Sequence, residues 1–399
     1  MSGAIPIKIS NSVLVWARTS IGYSIDEIAH KMNIKPEKIN AWENGTASPT
    51  YTQLENLAYK VFKRPLAVFF RAEPPKEASI EKDFRNLTSS EITHLSTEMR
   101  LVLRKAKRLQ NLVRELNKDN KTELEYKKFK VSIKDNPITT ANSFREFLGL
   151  SIEEQKKWKP DNSFDHFKEY IEKIGIYIFQ FQMPFEEARA FSLTDDYPII
   201  ALNTDDAKNG RIFSLFHEVC HILFNIGGVF KDKESKNRKG EYAEIEDFCN
   251  RFAASFLVPE VLFKKDIDFS NQKLKEWSDK DLEKLSRLYS VSKEVVLRKL
   301  VDLKLASKSF YFIKKKLWDA ELKSRKELIL QKQKQKILEE GRTSGGIPID
   351  VKIVSEKGKP FISKVLEGYE KGNLTYGDIS EYLEVKLDYL PKIIERINR

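Results

Sequence analysis

The sequence has few cysteines, few histidines and no long apolar run, and each shortage narrows the possibilities. Cys220 and Cys249 are its only two cysteines in 399 residues. No disulfide framework can be built, and a reducing compartment is expected. No apolar run approaches the roughly 18 residues that a membrane-crossing helix needs, and the N-terminus lacks a basic segment followed by an apolar one. A soluble, cytoplasmic protein with no membrane partner is expected. Only five histidines occur. Two of them, His217 and His221, stand four residues apart with Glu218 directly after the first.

The chain is otherwise well supplied. With 41% hydrophobic and 11% aromatic residues it can bury sizeable cores, which excludes a disordered chain. Its length favours two to four domains. The formal net charge of +11 favours acidic partners, nucleic acid first.

Residues 8–70 have a helical pattern. In YSIDEIAHKMNIKPEKINAWENG (23–45), Ser24 and Glu27 have the spacing of a capping box. Ile28, Ala29 and Met32 are expected to face the core. Asn33 suits a left-handed helix end, and Pro36 suits the first turn of the next helix. Ile39 and Trp42 form that helix's buried stripe, and Gly45 closes it. The result is a helix-turn-helix. Residues 72–95 read as a linker. A long basic helix is expected over 96–130, with Arg104, Lys105, Lys107, Arg108 and Arg114. A helix over 164–174 precedes three β-rich runs, 176–182, 188–193 and 198–203, which suggest a small sheet. Helices follow over 211–225, 244–260 and 278–305, the last with a turn at 290–292. A Lys-rich region at 306–342, a break at GRTSGG (341–346) and short terminal helices complete the chain. The expected fold class is α+β, mostly helical. The expected division is 1–71, 72–162, 163–305 and 306–399.

RIFSLFHEVCHILFN (211–225) carries the chemistry. Positions i and i+4 share a helix face, so His217 and His221 can offer two imidazoles to one ion. Glu218 lies about 100° around the helix, placed to touch a water beside that ion rather than to chelate. This is the H-E-x-x-H arrangement of two ligands and a general base. The flanks are apolar nearly all round, so the helix is buried, and buried imidazoles without partners would be costly. A catalytic zinc usually takes a third protein ligand. Glu241, Glu244, Glu246 and Asp247 in the next helix are the candidates. Facing favours Glu246, while periodicity alone leaves Glu244 and Asp247 open. Cys220 lies off the ligand face, and both thiols read as small buried hydrophobes.

FSLTDDYPIIALN (191–203), RIFSLFHEVCHILFN and EDFCNRFAASFLVPE (246–260) together resemble the ImmA/IrrE family of metallopeptidases over about 165–265. The N-terminal segment, with AWENG (41–45), resembles the Xre-type helix-turn-helix. The resemblance implies a minimal zincin-like core, with the third ligand at Glu246. It also implies an endopeptidase that cleaves a regulatory protein such as a repressor or antitoxin in the cytosol. Zinc is the expected metal, with manganese as a second possibility, and Glu218 is the expected general base. An exposed edge of the sheet could hold an extended peptide across the metal. At the helix-turn-helix, Ile25 stands where DNA-binding relatives often carry Gln, Glu37 would repel phosphate, and Ala41 offers no hydrogen bond. Lys35, Lys38, Asn40 and Asn44 are the candidate DNA contacts. The competing expectation is a DNA-binding transcriptional regulator whose metallopeptidase-like domain is a sensor or inactive.

Overall fold

The computed structural model describes residues 6–75, 95–119, 124–225, 228–230, 241–267, 277–340 and 347–398. Most of the expected linker 72–95 and the expected break at 341–346 lie outside the described residues. The protein is α+β and mostly helical. It divides into two compact units, Met1–Leu109 and Gln110–Arg399.

The first unit begins with α1 (Asn11–Thr19), α2 (Ile25–Met32), α3 (Pro36–Glu43) and α4 (Tyr51–Asn56). The local signals act as their chemistry requires. Ser24 Oγ accepts from the Glu27 amide, and the Glu27 carboxylate accepts from the Ser24 amide. Two otherwise unpaired groups are thereby satisfied at the start of α2. Asn33 ends α2 with φ +52°, a conformation Asn tolerates better than most residues. Pro36 occupies the first turn of α3. Ile28, Ala29, Ile39 and Trp42 join Val13, Leu14, Leu54 and Leu57 in one core, with Met32 packed at its border. Arg18 on α1 donates two hydrogen bonds, of 2.7 and 2.8 Å, to the Glu43 carboxylate. Glu43 therefore ties the end of α3 to α1. Gly45 has φ +74°, and a Cβ there would lie 2.3 Å from Asn11 Nδ2.

The unit boundary falls within α5 (Thr97–Leu116). The long helix expected over 96–130 is thus shorter than its composition suggested. It stops where Asn117 turns its side chain inward, donating to Val113 O at 2.7 Å and to Tyr177 Oη at 3.1 Å. Such side-chain bonds compete with helix propagation. Two helices follow that the sequence pattern did not single out, α6 (Pro137–Phe147) and α7 (Ile152–Lys157), then α8 (Ser163–Lys173).

Among the described residues the sheet has four strands, the three expected and one more. These are β1 (Tyr177–Phe181), β2 (Ala190–Leu193), β3 (Ile199–Asn203) and β4 (Gly228–Phe230), in the order β1-β3-β2-β4. β1 and β3 are parallel, and β2 is antiparallel to both β3 and β4. Side chains alternate across a strand. Ile178, Ala190, Ile200 and Leu202 therefore join one core on the face toward α9 (Lys208–Leu223). Register places Ser192 opposite Ile200, so Ser192 shares that face.

α10 (Glu241–Leu257), α11 (Glu260–Asp266), α12 (Asp279–Tyr289), α13 (Lys293–Asp302) and the long α14 (Lys308–Glu340) follow. The expected turn in 290–292 is present, with Ser290 at φ +55°. Phe216 of α9 stacks on Phe256 of α10 with centroids 4.0 Å apart. Phe144 of α6 packs against Phe252 and Phe256. Burying each such ring contributes about 2 kcal/mol and fixes α9 against α10.

The terminal helices are α15 (Ile349–Lys357), α16 (Lys359–Glu370), α17 (Tyr376–Leu383) and α18 (Leu390–Ile397). They belong to the same unit as the sheet. Phe361 meets Phe179 edge-on at 5.3 Å. Gln180 Nε2 and Lys168 Nζ donate to Ser355 O at 2.7 and 3.0 Å. Both sheet faces are therefore covered. Among the described residues, no helix is long and apolar enough to cross a membrane.

Candidate metal centre

α9 is buried on nearly every side. Ile212, Leu215, Phe216, Val219 and Ile222 pack into the core. That burial takes the polar residues with it: His217 and Glu218 are 0% exposed and His221 is 1% exposed. Burying such groups without partners would cost several kcal/mol, on the order of 2–7 each, so their partners decide what the site is.

His217 and His221 turn their Nε2 atoms toward each other at 3.0 Å. Glu246 from α10 closes the group, with one carboxylate oxygen 3.4 Å from His217 Nε2 and the other 3.2 Å from His221 Nε2. These three residues form the one cluster of metal-ligating type among the described residues. Of the alternatives, Glu244 and Asp247 are exposed, and Asp247 pairs with Arg251 at 3.8 Å. The side chain of Glu241 lies outside the described ones. The separations also fit an ion: donors about 2.1 Å from a tetrahedral zinc lie roughly 3.4 Å from one another. Two imidazoles and a carboxylate are a donor set suited to zinc.

The charges are arranged accordingly. Burial pushes the Glu246 carboxyl up, but hydrogen bonds and charge from His217 and His221 outweigh it and hold the group well below its ordinary range. Burial pushes His217 down against the pull of Glu246, which favours the neutral imidazole a metal requires; burial pushes His221 down as well, but Cys249 and Glu246 outweigh it and raise that group well above its ordinary value. Burial raises Glu218 to about 7, with His221 and Ser192 opposing.

Ser192, not recognised from sequence, and Asn250, noted there only for its spacing from Glu246, complete the surroundings. Ser192 Oγ lies 2.6 Å from Glu218 Oε2. Glu218 Oε1 is buried with no hydrogen-bond partner among the described residues. Strand alternation in FSL (191–193) signals Ser192 as an inward-facing polar residue among apolar neighbours. Asn250 Oδ1 lies 3.2 Å from His217 Nδ1. Its four-residue spacing from Glu246 puts both on one face of α10. Cys220 and Cys249 are buried free thiols, and neither belongs to the ligand cluster.

In the first unit, Lys35 and Asn44 flank α3 at its two ends. They and Lys38 and Asn40 are all exposed, so the structure presents the four on the surface around one helix. Glu37 is exposed beside them.

Comparison with known families agrees with both halves. The peptidase M78 family, described as the IrrE N-terminal-like domain, matches residues 171–301. A helix-turn-helix family matches residues 14–59. No curated protein gives a significant match. The first match contains all of His217, Glu218, His221, Glu246, Ser192 and Asn250, and the second contains α2 and α3. The chain therefore carries an Xre-type helix-turn-helix domain followed by an IrrE-like domain of the metallopeptidase family M78.

Proposed function

We propose that the protein is a cytoplasmic metal-dependent endopeptidase that cleaves a regulatory protein, of the repressor or antitoxin kind. His217, His221 and Glu246 would hold the metal, zinc by preference and manganese as the alternative. The observation that carries this reading is the convergence of three buried donors beside a carboxylate with one unpartnered oxygen. We also propose the functional division 1–71, 72–162, 163–305 and 306–399, with peptide chemistry confined to the third part.

A metal bound there supplies Lewis-acid polarisation of a carbonyl and acidifies water. The chain's own residues do the rest. Glu218 Oε1 takes a proton from the attacking water and returns it to the leaving amine. Ser192 holds the other oxygen, Oε2, and so keeps the bare oxygen pointed at the reaction. The burial of His217, Glu218, His221 and Glu246 excludes bulk water, which strengthens each of these interactions.

A second reading is a DNA-binding regulator whose metallopeptidase-like domain is a sensor. The exposed set Lys35, Lys38, Asn40 and Asn44 on and beside α3 favours it. The two readings separate in one experiment. A lysate of the source organism is treated with wild type or with Glu218→Gln, and new protein N-termini are identified by mass spectrometry. New termini with wild type alone support the endopeptidase. Identical termini in both samples, from protein with its metal bound, contradict it.

A further inference from the structure

We propose that Asn250 is a positioning residue that sets the tautomer of His217 and thereby makes it a metal ligand. The inference rests on the metal reading of His217, His221 and Glu246. An imidazole can bind a metal through Nε2 only when the ring proton is on Nδ1. In this site His217 directs Nε2 at His221 and Glu246, and Nδ1 faces the Asn250 side chain at 3.2 Å. An amide oxygen there accepts from Nδ1–H and leaves the Nε2 lone pair free. The reversed amide would donate to Nδ1, move the ring proton to Nε2, and block ligation. The orientation of the Asn250 amide is therefore coupled to the ligand set.

The helix geometry makes the coupling economical. Glu246 and Asn250 are one turn apart on α10, so one helix supplies both a donor to the ion and the acceptor behind another donor. Any rotation of α10 would disturb both together. The stacking of Phe256 on Phe216 and the packing of Phe252 against Phe144 fix that rotation. His221 is held differently. Its neighbour is the Cys249 thiol rather than a side-chain amide, so the two imidazoles are not equivalent, and only His217 has its Nδ1 against Asn250.

The test is zinc affinity of the full chain, measured by competition with a chromophoric chelator. It compares wild type, Asn250→Ala, Asn250→Asp and His217→Ala, with the unfolding midpoint of each metal-free protein recorded beside it. Removing the acceptor is expected to weaken zinc binding roughly 10- to 100-fold. Asn250→Asp, which can only accept at neutral pH, is expected to bind at least as tightly as wild type. A purely structural role would move the metal-free midpoint and give no rescue by Asp. Asn250→Ala binding zinc as wild type does, or Asn250→Asp binding as weakly as Asn250→Ala, would overturn the inference while leaving the metal site intact. Wild type failing to bind zinc, or His217→Ala binding it unchanged, would instead overturn the metal reading on which it rests.

Discussion

Replacing Glu172 with Gln should remove a specific pH dependence of stability. Glu172 lies at the end of α8, buried beside Lys168 Nζ at 3.7 Å and against Gly358, where a Cβ would lie 2.4 Å from its Oε1. Burial raises its carboxyl from an ordinary value near 4.5 to about 7, and Lys168 only partly opposes the shift. The folded state therefore keeps a proton that the unfolded chain releases. Its contribution to stability is full below about pH 4.5, declines as pH rises to about 7, and is constant above that. At 1.36 kcal/mol per pH unit the decline is on the order of 3 kcal/mol. Gln keeps the size and shape of the protonated acid and cannot ionise. Lys168 retains its bond to Ser355 O. Urea unfolding at pH 4.5 and 7.5 gives the comparison. Glu172→Gln should gain on wild type by about 3 kcal/mol between the two pH values. A difference between the two proteins that is the same at both pH values would show that Glu172 is not held protonated in the folded state.

Three further outcomes follow from the same geometry. Ser192→Ala removes a hydrogen bond that favours ionised Glu218, a bond to a charged group worth about 1.5 kcal/mol or more. The acid limb of the pH–rate profile should therefore move up by about one pH unit, and Ser192→Thr should restore it. Phe256→Ala empties the contact with Phe216, Phe144 and Phe252. It should cost about 3–5 kcal/mol in urea unfolding and weaken zinc binding by loosening α9 against α10. If α3 contacts DNA, the Lys35→Ala, Lys38→Ala double variant should lower affinity for all sequences and reduce the slope of log affinity against log salt by about 2 in a gel-shift titration. An unchanged slope would show that neither lysine meets phosphate.

The helix-turn-helix was legible because its signals are local. Ser24 with Glu27, Asn33 and Pro36 each act within a turn of their own position, and each does so in the structure. The pair His217 and His221 was legible for the same reason, since one helix fixes their spacing. Glu246 needed a facing argument because it comes from another helix, and periodicity could not separate it from Glu244 and Asp247. What stayed hidden depends on contacts between distant segments. Ser192 acquires meaning only when β2 lies against α9. β4 is three residues long, too short for alternation to show. The terminal helices read as unassigned segments because nothing local says that Phe361 will meet Phe179 or that Ser355 will accept from Gln180. The expected helix over 96–130 was overextended for a related reason. Its basic composition continues past Leu116, but the partner that draws Asn117 inward, Tyr177, lies 60 residues away.

The proposed activity requires His217, His221 and Glu246 to share one metal ion. Crystals of the full chain grown with zinc, measured on both sides of the zinc absorption edge, test it directly. One anomalous peak is expected about 2.0–2.2 Å from His217 Nε2, His221 Nε2 and a Glu246 oxygen, with Glu218 nearby and outside bonding distance. A zinc-replete crystal with no peak at those atoms, or with the peak on the Cys249 thiol, would contradict it.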